Sequence, residues 1–255
     1  MTVEVSVSGP RADITLRRPE VLNAMDWTVF EGLAHAAAEV AAAPDVRVTV
    51  VQGEGRSFSS GIDTSTFGAT QGDPEQMIAR AQAGFRAIAG LPMPTIASVR
   101  GHALGAGLQL ALACDLRVVA RGTSLGILES RYGLVPDLGG TQRLPQLVGP
   151  ARAKKMIWLA EKIEAEEAVR IGLVEMLVDI EELDASVDDL AARIAAAPPL
   201  AVRETKRLVD LASQVPLEAG MDEEANAQMK MFASADFVEA ITAFMEKRVA
   251  RYEGR

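Results

Sequence analysis

Between Gly101 and Asp115 the chain reads GHALGAGLQLALACD, a glycine-punctuated turn that passes into an almost wholly apolar run. Small residues let backbone N–H groups approach a ligand closely, and a helix apolar on all sides has to lie inside a fold rather than on it. Such a buried helix aims its N-terminus at something. Its unsatisfied first-turn donors and its dipole favour negative charge there, either a bound phosphate or an oxyanion that exists only during a reaction. Two nucleotide-binding patterns fail on the residues. A dinucleotide fingerprint opening at Gly105 needs Gly or Ala at position 110, which is Leu110, and a phosphate loop needs Lys-Ser/Thr where Leu108 and Gln109 follow Gly107.

The chain around this stretch has 255 residues, 49% of them hydrophobic, enough for one large domain or a domain with an appendage. No apolar run approaches the roughly 18 residues of a membrane span. The start, Met1-Thr2-Val3-Glu4, has neither the basic nor the apolar region of a signal peptide, so a soluble, cytoplasmic protein is expected. A net charge of −9 with only 4% aromatic residues argues against a nucleic-acid groove or binding to an anionic membrane surface. An anionic small ligand stays open if a few basic residues are placed locally. The single cysteine, Cys114, excludes an intrachain disulfide, fits a reduced compartment and reads as a small buried hydrophobe. With His35 and His102 far apart in sequence, no metal-ligand set is expected.

Residues 3–7 and 12–16 alternate or are β-branched on either side of Ser8-Gly9-Pro10-Arg11, which predicts a hairpin. From Asp26, a plausible N-cap, apolar residues recur at helical spacing up to Pro44. A strand at 46–51, a Gly/Ser-rich loop at 53–65, a helix around 74–89 and a strand at 95–99 follow. The glycine-punctuated stretch supplies the next helix and 116–119 the next strand. After a loop at 121–145, helices are expected at 151–160 and 165–171, a strand at 173–178 and a helix at about 181–196. Pro198-Pro199 marks a boundary, beyond which helices near 200–212, 217–232 and 236–250 carry no strand signal. The chain thus divides into an α/β core, residues 1–197, and a helical region, residues 198–255. Helices too few to bury much alone gain most by packing on the core or on another subunit.

Gly122-Thr123-Ser124-Leu125-Gly126 matches the G-x-S-x-G nucleophile elbow, but both histidines precede Ser124, and no convincing helix follows directly, so the hydrolase order is not met. The second glycine-rich segment, residues 53–63, follows a strand and is poor in bulky side chains around Ser60-Gly61. It is either an ordinary surface loop or a second source of backbone donors. Two such loops in one core can converge on one oxygen, and two donors make an oxyanion hole.

Five segments occur in order: Arg18-Pro19-Glu20-Val21-Leu22-Asn23-Ala24, residues 57–63 (SFSSGID), residues 101–115, residues 136–144 (PDLGGTQRL) and residues 165–174 (AEEAVRIGLV). Together they resemble the crotonase, or enoyl-CoA hydratase/isomerase, family over essentially the whole chain. The resemblance implies a spiral of ββα turns with a C-terminal helical region, packed as a homotrimer or as a hexamer made of two trimers. It implies acyl-CoA thioesters as substrates, with no further cofactor. The family's oxyanion-hole donors fall on the backbone N–H groups of Ser60 and Ala106. Contacts to CoA are implied at Arg18, Ser59, Gly61, Ile62 and Asp63. Phe244 and Lys247 resemble the segment that reaches the CoA of a neighbouring subunit, Lys247 meeting phosphate. Each of these charges reads equally as a solvated surface group.

Hydratases of the family present two glutamates, at the positions of Gln109 and Glu129. An amide at 109 orients a water or substrate but has no proton to give or take. Glu129 is retained, and Asp137 follows within Val135-Pro136-Asp137, a place where hydratases often have glycine. The Glu129/Asp137 pair resembles dienoyl-CoA isomerases, and the Val135-Pro136-Asp137 run resembles the ring-opening epoxyphenylacetyl-CoA isomerases. A carboxyl desolvated in an apolar pocket is suited to abstract a proton and return it elsewhere. The expectation is a double-bond isomerase with Asp137 as base, Glu129 as acid or shuttle and Gln109 as an orienting group. Hydration using Glu129 alone and a non-catalytic acyl-CoA scaffold remain as alternatives. An ion pair of Glu129 with Arg131 or Arg143, and an N-capping role for Asp137, are the structural readings of the two acids.

Overall fold

The structure, a computed structural model, describes residues 1–68 and 73–255. The hairpin forms as β1 (Val3–Ser8) and β2 (Arg11–Leu16), paired antiparallel from Val3 opposite Leu16 to Ser8 opposite Arg11. Helix α1 (Trp27–Ala42) follows, its first turn closed by Asp26, whose side chain accepts from the Val29 N–H. It crosses over to β3 (Val48–Gly53), and α2 (Pro74–Ala89), capped by Asp73, leads to β4 (Thr95–Val99). The chain then makes β5 (His102–Leu104), α3 (Ala106–Ala113), β6 (Leu116–Ala120) and β7 (Ser124–Gly126). Helices α4 (Gly140–Val148) and α5 (Pro150–Leu159), strand β8 (Lys162–Glu164), helix α6 (Ala165–Arg170), strand β9 (Met176–Val178) and helix α7 (Leu183–Ala195) complete the part before Pro198.

Six strands form one sheet in the order β1-β2-β3-β4-β6-β9, parallel except for the opening hairpin, and β5-β7-β8 form a second. Parallel strands joined through helices are covered on both faces. On one face Val48, Val50, Ile96, Val118 and Ala120 pack under Leu183, Val187 and Ala191 of α7. On the other, Ile14, Leu16, Val51, Ala97 and Val99 join the larger core that encloses α1 and α3. All eight residues of α3 are buried, as the apolar run requires. This is a mixed α/β architecture, with helices on both faces of a largely parallel sheet.

The region after Pro198 consists of α8 (Pro199–Leu211), α9 (Leu217–Phe232) and α10 (Ala235–Glu246). Leu217, Met229, Val238, Phe244 and Met245 on these helices are exposed in the single chain. Three differences from the sequence reading have local causes. Strands β5, β7 and β8 are three residues each, too short to show a period. Helix α4 lies partly in the expected loop at 121–145, which Gly139, Gly140 and Pro145 suggested; Leu144 and Val148 bury its inner face despite the proline. Helix α10 stops at Glu246 rather than 250, because Lys247 adopts a left-handed conformation, φ 54°, and turns the chain back. Asp236 then receives the N–H groups of Glu253 and Gly254.

Candidate active site

The loop at 57–63 is sewn to two neighbours. On one side Ser59 N–H donates to His102 O, and Leu104 N–H returns to Ser59 O, which ties the loop to β5. On the other, Met25 N–H donates to Gly61 O and Asp63 N–H to Met25 O, a short parallel bridge that leaves the N–H of Ile62, between them, pointing away. Asn23, buried, holds the base of the loop by donating to Glu54 O at 3.0 Å and Ser57 O at 2.7 Å.

These bonds decide which donors are free. The N–H of Ser60, expected to face a ligand, is committed to Leu22 O at 2.9 Å. The Gly61 N–H donates to Ser59 Oγ at 3.2 Å. The Ile62 N–H has no acceptor among the described residues, nor has that of Ala106, the first residue of α3. Ile62 and Ala106 line one cavity of ≈ 70 Å³, together with Ser60, Gly61, Gly105 and Glu129. Gly61 is required for this approach. Its φ is +103°, and a Cβ there would lie 2.8 Å from Leu104 O, against the turn that presents Ala106. The free donor of the loop is thus Ile62, not Ser60. No sequence signal separates the two residues, because the bridge to Met25 selects between them.

Glu129 opens the short 3-10 turn Glu129–Tyr132 and is only 6% exposed. Its Oε1 accepts from Gln109 Nε2 at 2.7 Å, and its Oε2 is buried with no hydrogen-bond partner among the described residues. Among the described residues it makes no ion pair: Arg131 instead donates to Ala160 O at 2.8 Å. Burial pushes the Glu129 carboxyl above the ordinary glutamate value, and the nearby charge of Asp137 adds to the effect. The Gln109 hydrogen bond works in the opposite sense.

Asp137 lies on the loop before α4 and borders a second cavity, ≈ 440 Å³, with Gln82, Phe85, Val135 and Gly139. Leu134 lines the first cavity and Val135 the second, so adjacent residues of the chain stand in the walls of the two cavities that the acids border. Asp137 does not cap α4, whose N-cap is Gly139 with no side-chain bond. Half-buried, its carboxyl is also pushed above the ordinary aspartate value by desolvation. Gln109 connects the two segments, since its Oε1 accepts from the N–H groups of Leu138 at 2.9 Å and Gly140 at 3.0 Å.

Of the other residues expected at CoA, three are tied into the protein and two lie on its surface. Arg18, expected at a phosphate, is an internal clip: it donates to Ala24 O at 2.6 Å and Asp63 Oδ2 at 3.0 Å and pairs with Asp26 at 3.2 Å. Two carboxylates already match its charge. Asp63, held low by its bonds to Ser65 and then by Arg18, belongs to the same clip. Ser59 is buried and donates to Asn23 O at 2.8 Å, bracing the loop from behind. Phe244, 83% exposed, and Lys247 do not line either cavity. Thr64, Tyr132 and Leu134 line the small cavity and carried no signal in the sequence. Among the described residues no group of three or more His, Cys, Asp or Glu side chains could hold a metal ion, and no helix is long and apolar enough to cross a membrane.

A spiral β/α core that brings two free backbone donors beside a buried carboxyl defines a class, and comparison gives the same one. The family model described as enoyl-CoA hydratase/isomerase matches residues 10–255. The chain belongs to this family, and is an enzyme of the hydratase/isomerase class. It is 37% identical over 243 residues to a crotonyl-CoA hydratase of Syntrophomonas wolfei, covering 94% of each. It is 33% identical over 259 residues to a carnitinyl-CoA dehydratase of Salmonella typhi, covering 100% of this chain and 99% of the relative. Among solved structures, an enoyl-CoA hydratase from Bacillus anthracis superposes with a TM-score of 0.94 at 33% identity over 100% of both chains. A Thermobifida fusca protein solved in complex with acetoacetyl-CoA superposes with 0.85 at 40% identity, over 91% of this chain and 95% of that one.

Proposed function

We propose that this enzyme is an acyl-CoA double-bond isomerase. The thioester oxygen sits between the Ile62 and Ala106 N–H groups, which hold it as charge moves onto it in the enolate; removing one such donor costs about 10²–10³ in kcat in comparable sites. Asp137 is the base and Glu129 the acid. The observation that carries this reading is the environment of the two carboxyls, both raised by burial, that of Glu129 further by the charge of Asp137, with an amide rather than a second acid beside Glu129. A proton can be taken at one carbon and delivered at another by such a pair. The chemistry calls on side chains and backbone donors only, and no cofactor is invoked.

The acyl-CoA class is supported by the family and by the Thermobifida fusca complex with acetoacetyl-CoA. Assembly into a homotrimer or hexamer, with Phe244 and Lys247 closing over the CoA of a neighbouring subunit, is part of the proposal. The apolar side chains left exposed on α9 and α10 support it. Hydration by Glu129 alone is the second reading, favoured by the names of the relatives, crotonyl-CoA hydratase among them.

The test supplies trans-2-enoyl-, trans-3-enoyl- and 3,5-dienoyl-CoA and follows absorbance and deuterium uptake from D₂O. Migration of the double bond, abolished in Asp137→Asn, is expected. Rapid hydration of the trans-2-enoyl thioester that survives Asp137→Asn would establish the hydratase instead. Tight binding without turnover of any of the three leaves only the scaffold.

A further inference from the structure

The neighbours of the Gln109 carboxamide settle its orientation. Its oxygen accepts from two backbone N–H groups, of Leu138 and Gly140, so its NH₂ end faces the other way and donates to Glu129 Oε1. Flipping the amide would set NH₂ against two donors and an oxygen against a carboxyl oxygen. The site is also closed behind it: a Cβ on Gly140 would lie 2.9 Å from Gln109 Oε1. Gln109 itself is 1% exposed, so no water shares these bonds' role from outside.

This arrangement makes the two oxygens of Glu129 unlike. Oε1 is occupied as an acceptor. Oε2 is buried and has no hydrogen-bond partner among the described residues, on a residue that lines the cavity bounded by Ile62 and Ala106. A carboxylic acid puts its hydrogen on the oxygen that is not already accepting from a donor.

We propose that Gln109 is a positioning residue that fixes Oε2 as the proton-carrying oxygen of Glu129, so that this carboxyl meets the substrate as an acid and the base's part falls to Asp137. Its catalytic meaning rests on the isomerase reading, whereas its physical content does not. In that reading Asp137 takes a proton from an acyl carbon and the C–H electron pair moves into the conjugated enolate. The pair then returns to form a C–H bond at another carbon, with the proton from Glu129 Oε2. Asp137 ends protonated and Glu129 ionised, and one proton passes from the first to the second through solvent before the next turnover.

Among the described residues, the charged and titratable surroundings of Glu129 are few. Asp137 faces it from the loop before α4 and opposes its ionisation. Tyr132, on its own turn, lines the same cavity, and Arg131 is turned to Ala160 O. On the 57–63 loop, Asp63 is paired with Arg18. α3 presents only the neutral amide.

The halves of the amide can be separated by substitution in the full-length protein. Gln109→Glu keeps an oxygen for Leu138 and Gly140 but replaces the donor to Glu129 with a second oxygen. Gln109→Met removes both halves at similar length. Infrared difference spectra, with Glu129→Gln subtracted to isolate its band, follow the Glu129 acid C=O through a pH titration. In Gln109→Glu the facing oxygens have to share a proton, so the acid band should persist to a pH higher by about one unit, tenfold in the ionisation equilibrium. In Gln109→Met the wild-type C=O loses its donor, and the band should move to higher frequency. A midpoint unchanged in Gln109→Glu, or an unmoved band in Gln109→Met, overturns the proposal even if melting temperatures fall, because a merely structural Gln109 would do only that. No catalysis enters these readings. A wild-type enzyme inactive on every enoyl-CoA would refute the isomerase and leave the infrared outcome to stand or fall separately.

Discussion

Gly61→Ala puts the proposed oxyanion geometry under direct strain. The residue sits at φ +103°, where a side chain is strained whatever the space, and the new Cβ would meet Leu104 O at 2.8 Å, against the 3.4 Å at which contact becomes ordinary. Backbone strain of this kind costs about 1–3 kcal/mol. For a chain of this size each kcal/mol lowers the melting temperature by about 2–4 °C. The larger effect falls on catalysis. Opening the contact has to move the 57–63 loop away from the turn that carries Ala106, and Ile62 is the next residue. Its N–H and that of Ala106 can then no longer bond one oxygen at full strength, which predicts a loss of about 10²-fold or more in kcat. KM should change little, because the contact that is lost strengthens only as charge develops. The measurements are a thermal melt and steady-state kinetics on the preferred enoyl-CoA. A kcat within a fewfold of wild type, alongside a lowered melting temperature, would show that the strain was absorbed without touching the donors and that Ile62 is not one of them. A raised KM at constant kcat would make the loop a ground-state binding element only.

Three further outcomes follow from the same geometry. Glu129→Gln should lower kcat by about 10²–10⁴, the usual worth of a positioned acid, with CoA-thioester binding retained by isothermal titration. The same substitution, and Asp137→Asn, should raise the melting temperature at neutral pH, because each acid is held above its ordinary value by burial. A raised carboxyl binds more protons folded than unfolded, so stability declines as pH rises from the unfolded value, about 4, through the folded one, and the decline is complete above it. The amide variants should therefore gain over wild type at pH 7 and show no gain below about pH 4; equal melting curves at both pH values would mean that the carboxyls carry no burial penalty. Cys114, buried with its thiol pushed up to about 12, should resist a thiol-specific disulfide reagent in the native enzyme at pH 8 and react fully in denaturant; stoichiometric labelling of the folded protein would show that α3 opens readily.

Much of the scaffold was legible because it rests on period and punctuation. The opening hairpin, the Asp26-capped helix and the all-buried α3 each announce themselves through alternation, a cap or an unbroken apolar run. Helix α4 was not legible, since its start lies at Gly139-Gly140 and it contains Pro145, both of which read locally as loop. What stabilises its first turn is a side chain from α3, about thirty residues earlier in the chain, and no local propensity encodes that bond.

The same distinction explains where the site was misread. Small residues at 59–61 mark a loop that comes close to something, but they do not say which N–H is left over. That depends on a count of acceptors on the neighbouring segment: Leu22 O takes the Ser60 N–H, Ser59 Oγ takes that of Gly61, and Met25 brackets Ile62 without using its donor. Arg18 is the companion case. A basic residue in an acidic chain invites a phosphate, yet Asp26 and Asp63 are folded against it, and its charge serves to hold the Ile62 loop against the turn at 23–25. Type and spacing thus proposed residues 57–63, 106, 129 and 137 for the site, while the assignment of individual donors followed from hydrogen-bond accounting between segments distant in sequence. Gln109 belongs to both levels. Its identity as an amide could be read directly, and removes the second acid from beside Glu129. Its three bonds, visible only in the fold, turn that absence into a defined orientation for the acid that remains.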